Sequence, residues 1–84
     1  MENTSAIEQP VREFILSEFL AGEDPSELKG STPLITTGIL DSIATLKLVL
    51  FLEKEFSINI EPHEANAQYM DTIDRIVELV QSKR

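Results

Sequence analysis

The stretch from Ile43 to Phe56 is the strongest constraint on what this chain can become. Ile43, Leu46, Val49, Leu50 and Phe56 recur at helical spacing and predict one buried face, while Leu48, Phe51 and Leu52 nearly close the circle. A helix that is apolar round most of its circumference belongs at the centre of a bundle, or has part of its surface covered by a partner. Asp41 is suited to N-cap it with Ser42 at the first helical position, or Ser42 itself caps. The end is expected near Phe56–Ser57, with Lys54 close to the negative end of the dipole. Its apolar stretch, Ile43 to Leu52, is interrupted by Thr45 and Lys47 and falls far short of the ~20 residues that span a bilayer.

The remaining elements must fit round this helix within 84 residues, which allows one small domain with one core. A first helix is expected from Pro10 to about Ala21. Pro10 sits well at a first helical position, and Val11, Phe14, Ile15 and Phe19 share a face. Ser5 and Glu8 offer a rival capping box, but that start would put Pro10 beyond the first turn, where it removes a hydrogen bond. Gly22, Pro25, Gly30, Pro33 and Gly38 then punctuate a long connection, residues 22–40, which excludes a long helix. Loops of this length in small domains are often functional. Leu28, Leu34, Ile35, Ile39 and Leu40 are expected to pin it to the core, and a strand at Leu34–Thr37 would have no evident partner.

Beyond the central helix, residues 57–61 read as an extended loop, Pro62 opens a short helical turn to about Ala67, and a last helix runs from about Thr72 to Gln81. Asp71 or Thr72 caps it; Ile73, Ile76, Val77 and Val80 form its buried face, with Leu79 at the edge. The fold class is therefore all-α, a four-helix bundle with three longer helices, one short third helix and a long loop between the first two. The chain reads as a single domain, 1–84, with flexible tails at 1–8 and 83–84.

Charge and composition narrow the function. Asp plus Glu number 15 against 7 Lys plus Arg, a net charge of −8. That balance disfavours nucleic acid and anionic membrane and favours partners with basic patches. The first ten residues have neither the basic nor the apolar region of a signal peptide, so a cytoplasmic location is expected. With no Cys, the chain offers no disulfide and no thiolate for metal binding or nucleophilic attack. His63 is the one His and follows Pro62 on a turn that reads as solvated, suiting a surface or capping role. A Ser42–His63 pair would be the one route to a serine hydrolase. The nucleophile-elbow motif is absent, however, and no pre-formed pocket is expected in so small a bundle, so no catalytic residue is assigned. Glu53/Glu55 and Asp71/Asp74 lack the spacing of a calcium loop, and no glycine-rich phosphate cradle occurs, so no metal site is assigned.

One constellation remains, Gly38-Ile39-Leu40-Asp41-Ser42-Ile43. Ordinary helix capping accounts for an Asp-Ser pair at such a place. The same place also suits a phosphate, because Ser42 would stand exposed at the positive end of a long helix. Its hydroxyl has no internal base, so activation would come from another enzyme.

Set after a long pinned loop and before an apolar helix, this motif resembles the modification site of acyl carrier proteins. The Pro-opened third element and Asp71-Thr72-Ile73 at the head of the last helix extend the resemblance over nearly the whole chain. The resemblance implies that Ser42 is esterified with 4′-phosphopantetheine taken from coenzyme A. Asp41 would be the motif acid used in recognition and metal-assisted transfer, and Ile43 the hydrophobic third member. It further implies a non-catalytic monomeric shuttle holding an acyl or aminoacyl thioester. Its partners would be a phosphopantetheinyl transferase, a loading ligase or transferase, and downstream biosynthetic enzymes of fatty acid, polyketide or amino acid-derived pathways.

Three features set the motif apart within that family. Ile43 stands where Leu is usual. Gly38 lies four residues before Ser42, a spelling nearer to aminoacyl and polyketide carriers than to fatty-acid ones. The second helix carries Lys47 and Lys54, with its acids Glu53 and Glu55 late. Docking is therefore expected to use apolar contact, with Leu48 and Phe51 as candidate docking residues and core packing as the alternative for each. The competing reading of the whole chain is an unmodified helical adaptor that docks partners through the apolar second helix, with Ser42 only a cap.

Overall fold

The computed structural model describes residues 5–20, 22 and 28–83. It contains α1 (Ser5–Phe19), α2 (Ser42–Phe56), a 3₁₀ turn (Pro62–Glu64), α3 (Ala67–Met70) and α4 (Ile73–Lys83), with no strand among the described residues. The all-α architecture with three long helices is the expected one.

Helix α1 begins earlier than the proline suggested. It starts at Ser5, so Pro10 lies inside it and residues 5–8 are helix rather than tail. Ile7 explains this, because with Val11 and Ile15 it forms a stripe with no exposed surface. Burying an isoleucine is worth about 1.5–3 kcal/mol, comparable with the ~3 kcal/mol an interior proline costs. Glu8 adds an ion pair one turn on, its Oε2 accepting from Arg12 Nη2 at 2.9 Å. The helix ends at Phe19, short of the expected Ala21, which lies outside the described residues along with 1–4 and Arg84.

The predicted inner face of α2 is corrected. Ala44, Thr45, Leu48, Val49 and Leu52 are buried, whereas Ile43, Leu46 and Leu50 stand 68 %, 58 % and 57 % exposed. Periodicity could not choose, because apolar residues occupy both sides. The choice is made by α1, which packs against α2 and α4, so that the Leu48–Leu52 side joins the common core. Leu48 has no exposed surface, so it packs in the core rather than docking; Phe51 is half-buried, stacked on Phe14.

The loop before α2 is pinned as expected. Leu28, Leu34 and Leu40 are buried, and Arg12 Nη1 donates to the carbonyl of Leu28. The Asp74 N–H donates to the Gly30 carbonyl at 3.0 Å. Leu34–Thr37 forms a turn, not a strand, closed by Gly38 N–H to Ile35 O at 3.1 Å. Gly38 takes φ +86°, where a side chain would be strained.

The helix expected over Pro62–Ala67 is two pieces. Asn66 adopts an extended backbone and its Oδ1 accepts from Gln68 N–H at 2.9 Å, so it ends the 3₁₀ segment and caps a separate α3. That second piece buries Met70. At α4 the cap is Thr72, whose Oγ1 accepts from Arg75 N–H at 3.1 Å. The helix runs on to Lys83, past the expected end at Gln81, and Lys83 pairs with Glu64 at 2.6 Å. The Lys83 ammonium, with the Glu61 N–H, holds the Glu64 carboxyl below its ordinary range. Leu79, expected at the edge, is buried.

Candidate functional site

The motif residues converge at the start of α2. Asp41 has extended backbone geometry, and its Oδ1 accepts from Ala44 N–H at 2.7 Å while its carbonyl accepts from Thr45 N–H at 2.8 Å. It is therefore the N-cap, and Ser42 is the first helical residue. Ser42 is exposed, as is Ile43 beside it. The first N–H groups of a helix have no acceptor within it. A phosphate at Ser42 would meet them and the positive end of a 15-residue helix.

A groove of about 800 Å³ opens beside Ser42, where no pocket was expected in so small a bundle. One wall is α2, with exposed Leu46 and Leu50, half-buried Glu53 and, at its floor, the buried Thr45 and Val49; the other is formed by Ile60, Pro62, Ala65 and Ala67, with Ile35 and Gly38 at the end near Ser42. The opposite wall is drawn from the segment before the 3₁₀ turn, the turn itself and the start of α3. Glu53 braces this wall, its Oε2 accepting from Ile60 N–H at 2.9 Å.

Asp71 holds the loop end of the groove. Its Oδ1 accepts from the N–H groups of Ile35 at 2.9 Å and Thr36 at 3.0 Å, and the Thr36 hydroxyl lies 3.3 and 3.2 Å from its two oxygens. Its carbonyl accepts from Leu34 N–H at 2.6 Å. The Thr36 backbone N–H, followed by that of Ile35, draws the Asp71 carboxyl below its ordinary range despite some desolvation.

The sequence assigns Ser42, Asp41 and Ile43; Asp41 and Ser42 line the mouth of the groove, whereas Ile43 is exposed beside them and does not line it. The sequence does not mark the opposite wall or Asp71 as part of the site. It offers Asp71 or Thr72 as the cap of α4; Thr72 takes that role, and the signal for Asp71's wider one is its position at the break before α4. His63 is exposed, lies edge-on to Tyr69 at 6.3 Å and is not among the groove-lining residues.

No family model matches the chain. Individual relatives do. A D-alanyl carrier protein of Streptococcus uberis is 36 % identical over 70 residues, covering 81 % of this chain and 87 % of that protein. The "Probable acyl carrier protein PigG" of a Serratia strain is 35 % identical over 75 residues, covering 89 % of this chain and 85 % of that protein. The chain belongs to the acyl carrier protein family. Acyl carrier protein 1, chloroplastic, of Casuarina glauca is 37 % identical over 71 residues; that alignment covers 82 % of this carrier but only 52 % of the longer plant protein. Among the described residues, no helix of the carrier is long and apolar enough to cross a membrane.

Proposed function

We propose that this carrier, acting as one domain in the cytoplasm, bears 4′-phosphopantetheine on Ser42 and shuttles an acyl or aminoacyl group between biosynthetic enzymes. The observation that carries this reading is an exposed serine at the first position of α2, beside an apolar groove, in a chain of this family. The residues fit such an arm. The hydroxyl is reachable by a modifying enzyme, the helix terminus favours the phosphate, and the groove runs from the attachment point along α2.

The arm supplies a thiol, which a chain without Cys lacks, and holds cargo as a thioester. The protein supplies the rest. Asp41 caps α2, keeping Ser42 at a fixed place on the rim. The Asp71-held loop and the Glu53-braced segment shape the two ends of a trough that can shelter an apolar cargo from water. Tethering keeps the cargo at high local concentration wherever the carrier docks. No residue of the carrier is assigned a catalytic part.

The partners of this reading are a phosphopantetheinyl transferase, a loading ligase or transferase, and the enzymes that use the cargo, each meeting a monomeric carrier. Around Ser42, Ile43, Leu46 and Leu50 take the docking role expected of the buried Leu48, because they are the large apolar side chains that α2 leaves exposed. The names of the relatives, D-alanyl and acyl carriers, favour an acyl or aminoacyl cargo.

Co-expression with a broad-specificity phosphopantetheinyl transferase is expected to add one phosphopantetheine to the intact mass. Ser42→Ala removes the increment while the fold persists. An unchanged wild-type mass would overturn the reading and leave the unmodified adaptor, which predicts partner binding that survives Ser42→Ala.

A further inference from the structure

On the opposite side of α2 from the groove, α1 and α2 present an aromatic notch. Phe14 and Phe51 stack with ring centroids 4.2 Å apart and planes 14° from parallel. Phe19 meets Phe14 edge-on at 5.7 Å, which leaves the stacked pair supported from one side. Pro10, Glu13, Ser17 and Glu55 complete a hollow of about 290 Å³ around the two rings. That is just under the ~300–1,000 Å³ of small-molecule pockets, a size for one side chain rather than a metabolite.

The chemistry of the hollow is specific. Phe14 and Phe51 are half-buried, so their outer surfaces remain in reach, while Glu13 and Glu55 are exposed at its rim. Neither carboxylate has an ion-pair partner among the described residues, where the cations of Arg12 and Lys83 are taken by Glu8 and Glu64. An apolar aromatic floor between two unpaired carboxylates matches a planar guanidinium, which lies against aromatic rings and bonds carboxylates bidentately. A lysine ammonium would gain the charge but not the flat contact.

We propose that this notch is a docking point for an arginine-bearing segment of a partner protein. Phe51 lies about 140° round α2 from Leu46 in the groove wall. A partner held here therefore leaves Ser42 and the groove open to a second enzyme. The carrier could stay attached to one protein while being modified or unloaded by another. The inference rests on the α1–α2 seam alone and is independent of whether Ser42 is modified.

The test titrates ¹⁵N-labelled full-length chain, at low salt, with a glycine–serine peptide carrying two arginines, and with its lysine and glutamine counterparts. Amide shifts from the arginine peptide are expected to concentrate at Glu13, Phe14, Ser17, Phe51 and Glu55. Binding is expected to be about threefold tighter than for lysine and absent for glutamine. The Glu13→Gln/Glu55→Gln double variant, changed only at exposed positions, should weaken it about fivefold with an otherwise unchanged spectrum. Shifts spread over the whole acidic surface, shifts centred on the groove, equal affinity in the double variant, or no binding would each overturn the proposal. So would dilution-dependent shifts at these residues without peptide, which would make a second copy of the chain the occupant.

Discussion

The Asp71 carboxylate accepts the backbone N–H of Thr36 at 3.0 Å across 35 residues of sequence, joining the loop before α2 to the break before α4. With the Ile35 N–H at 2.9 Å on the same oxygen, this bond sets one end of the groove beside Ser42. Local bonds such as Gly38 N–H to Ile35 O shape the turn, but Asp71 ties it to the far end of the chain.

Asp71→Ala is therefore expected to lower stability by about 1–2 kcal/mol, the net worth of hydrogen bonds to a charged acceptor less solvent screening. Urea unfolding at neutral pH measures it. Hydrogen exchange should report faster exchange at Ile35 and Thr36, with little change at α4.

The same carboxylate gives a pH dependence with a defined sign. Its pKa in the fold lies below the ordinary aspartate value of 3.8, so the unfolded chain binds the proton more readily. The contribution is fully present above that value and is lost as pH falls through the lower folded pKa. The stability gap between wild type and Asp71→Asn should thus be constant from pH 7 to 5 and narrow below about pH 4. A gap that widens with acid would contradict it.

Neighbouring residues at the head of α2 should separate cleanly. Asp41 is the cap, so Asp41→Ala costs about 1 kcal/mol. Ser42 is exposed at the first helical position, so Ser42→Ala stays within about 0.5 kcal/mol. Thermal unfolding of the two variants distinguishes a serine kept for capping from one kept for another purpose.

Leu46 and Leu48 are two residues apart and should behave oppositely. Leu48→Ala empties a site with no exposed surface and is expected to cost about 2–5 kcal/mol. Leu46→Ala, at a position 58 % exposed, should leave stability nearly unchanged and weaken partner docking instead. Denaturant midpoints and a binding assay with a modifying transferase read the two effects.

Pro10 lies inside α1, where it forfeits one intrahelical hydrogen bond. Pro10→Ala is expected to raise the unfolding free energy by up to about 3 kcal/mol. No gain would mean that the unfolded chain, stiffened by the proline, had been offsetting the defect.

Much of this protein was legible in one dimension. The helices announced themselves by period and punctuation, and Asp41-Ser42-Ile43 stood out because capping chemistry and an exposed hydroxyl coincide at a helix start. Pro10 and Pro62 misled for the same reason: each proline was read as the start of a single helix without the burial of Ile7, which carries α1 back past Pro10, or of Met70, which goes with a separate α3 capped by Asn66.

Local chemistry alone thus determined that the chain is helical, where α2 begins and which residue stands exposed at its head, since spacing, caps and turns act over a few residues. Tertiary structure decided which side of α2 faces inward, that a groove opens beside Ser42, and that Asp71 and Glu53 hold its edges. The physical reason is that an apolar helix surface has no intrinsic inside. The packing of α1 against α2 within the common core buries Leu48 and leaves Leu46 outward, and only a chain folded across 35 residues brings Asp71 to Thr36.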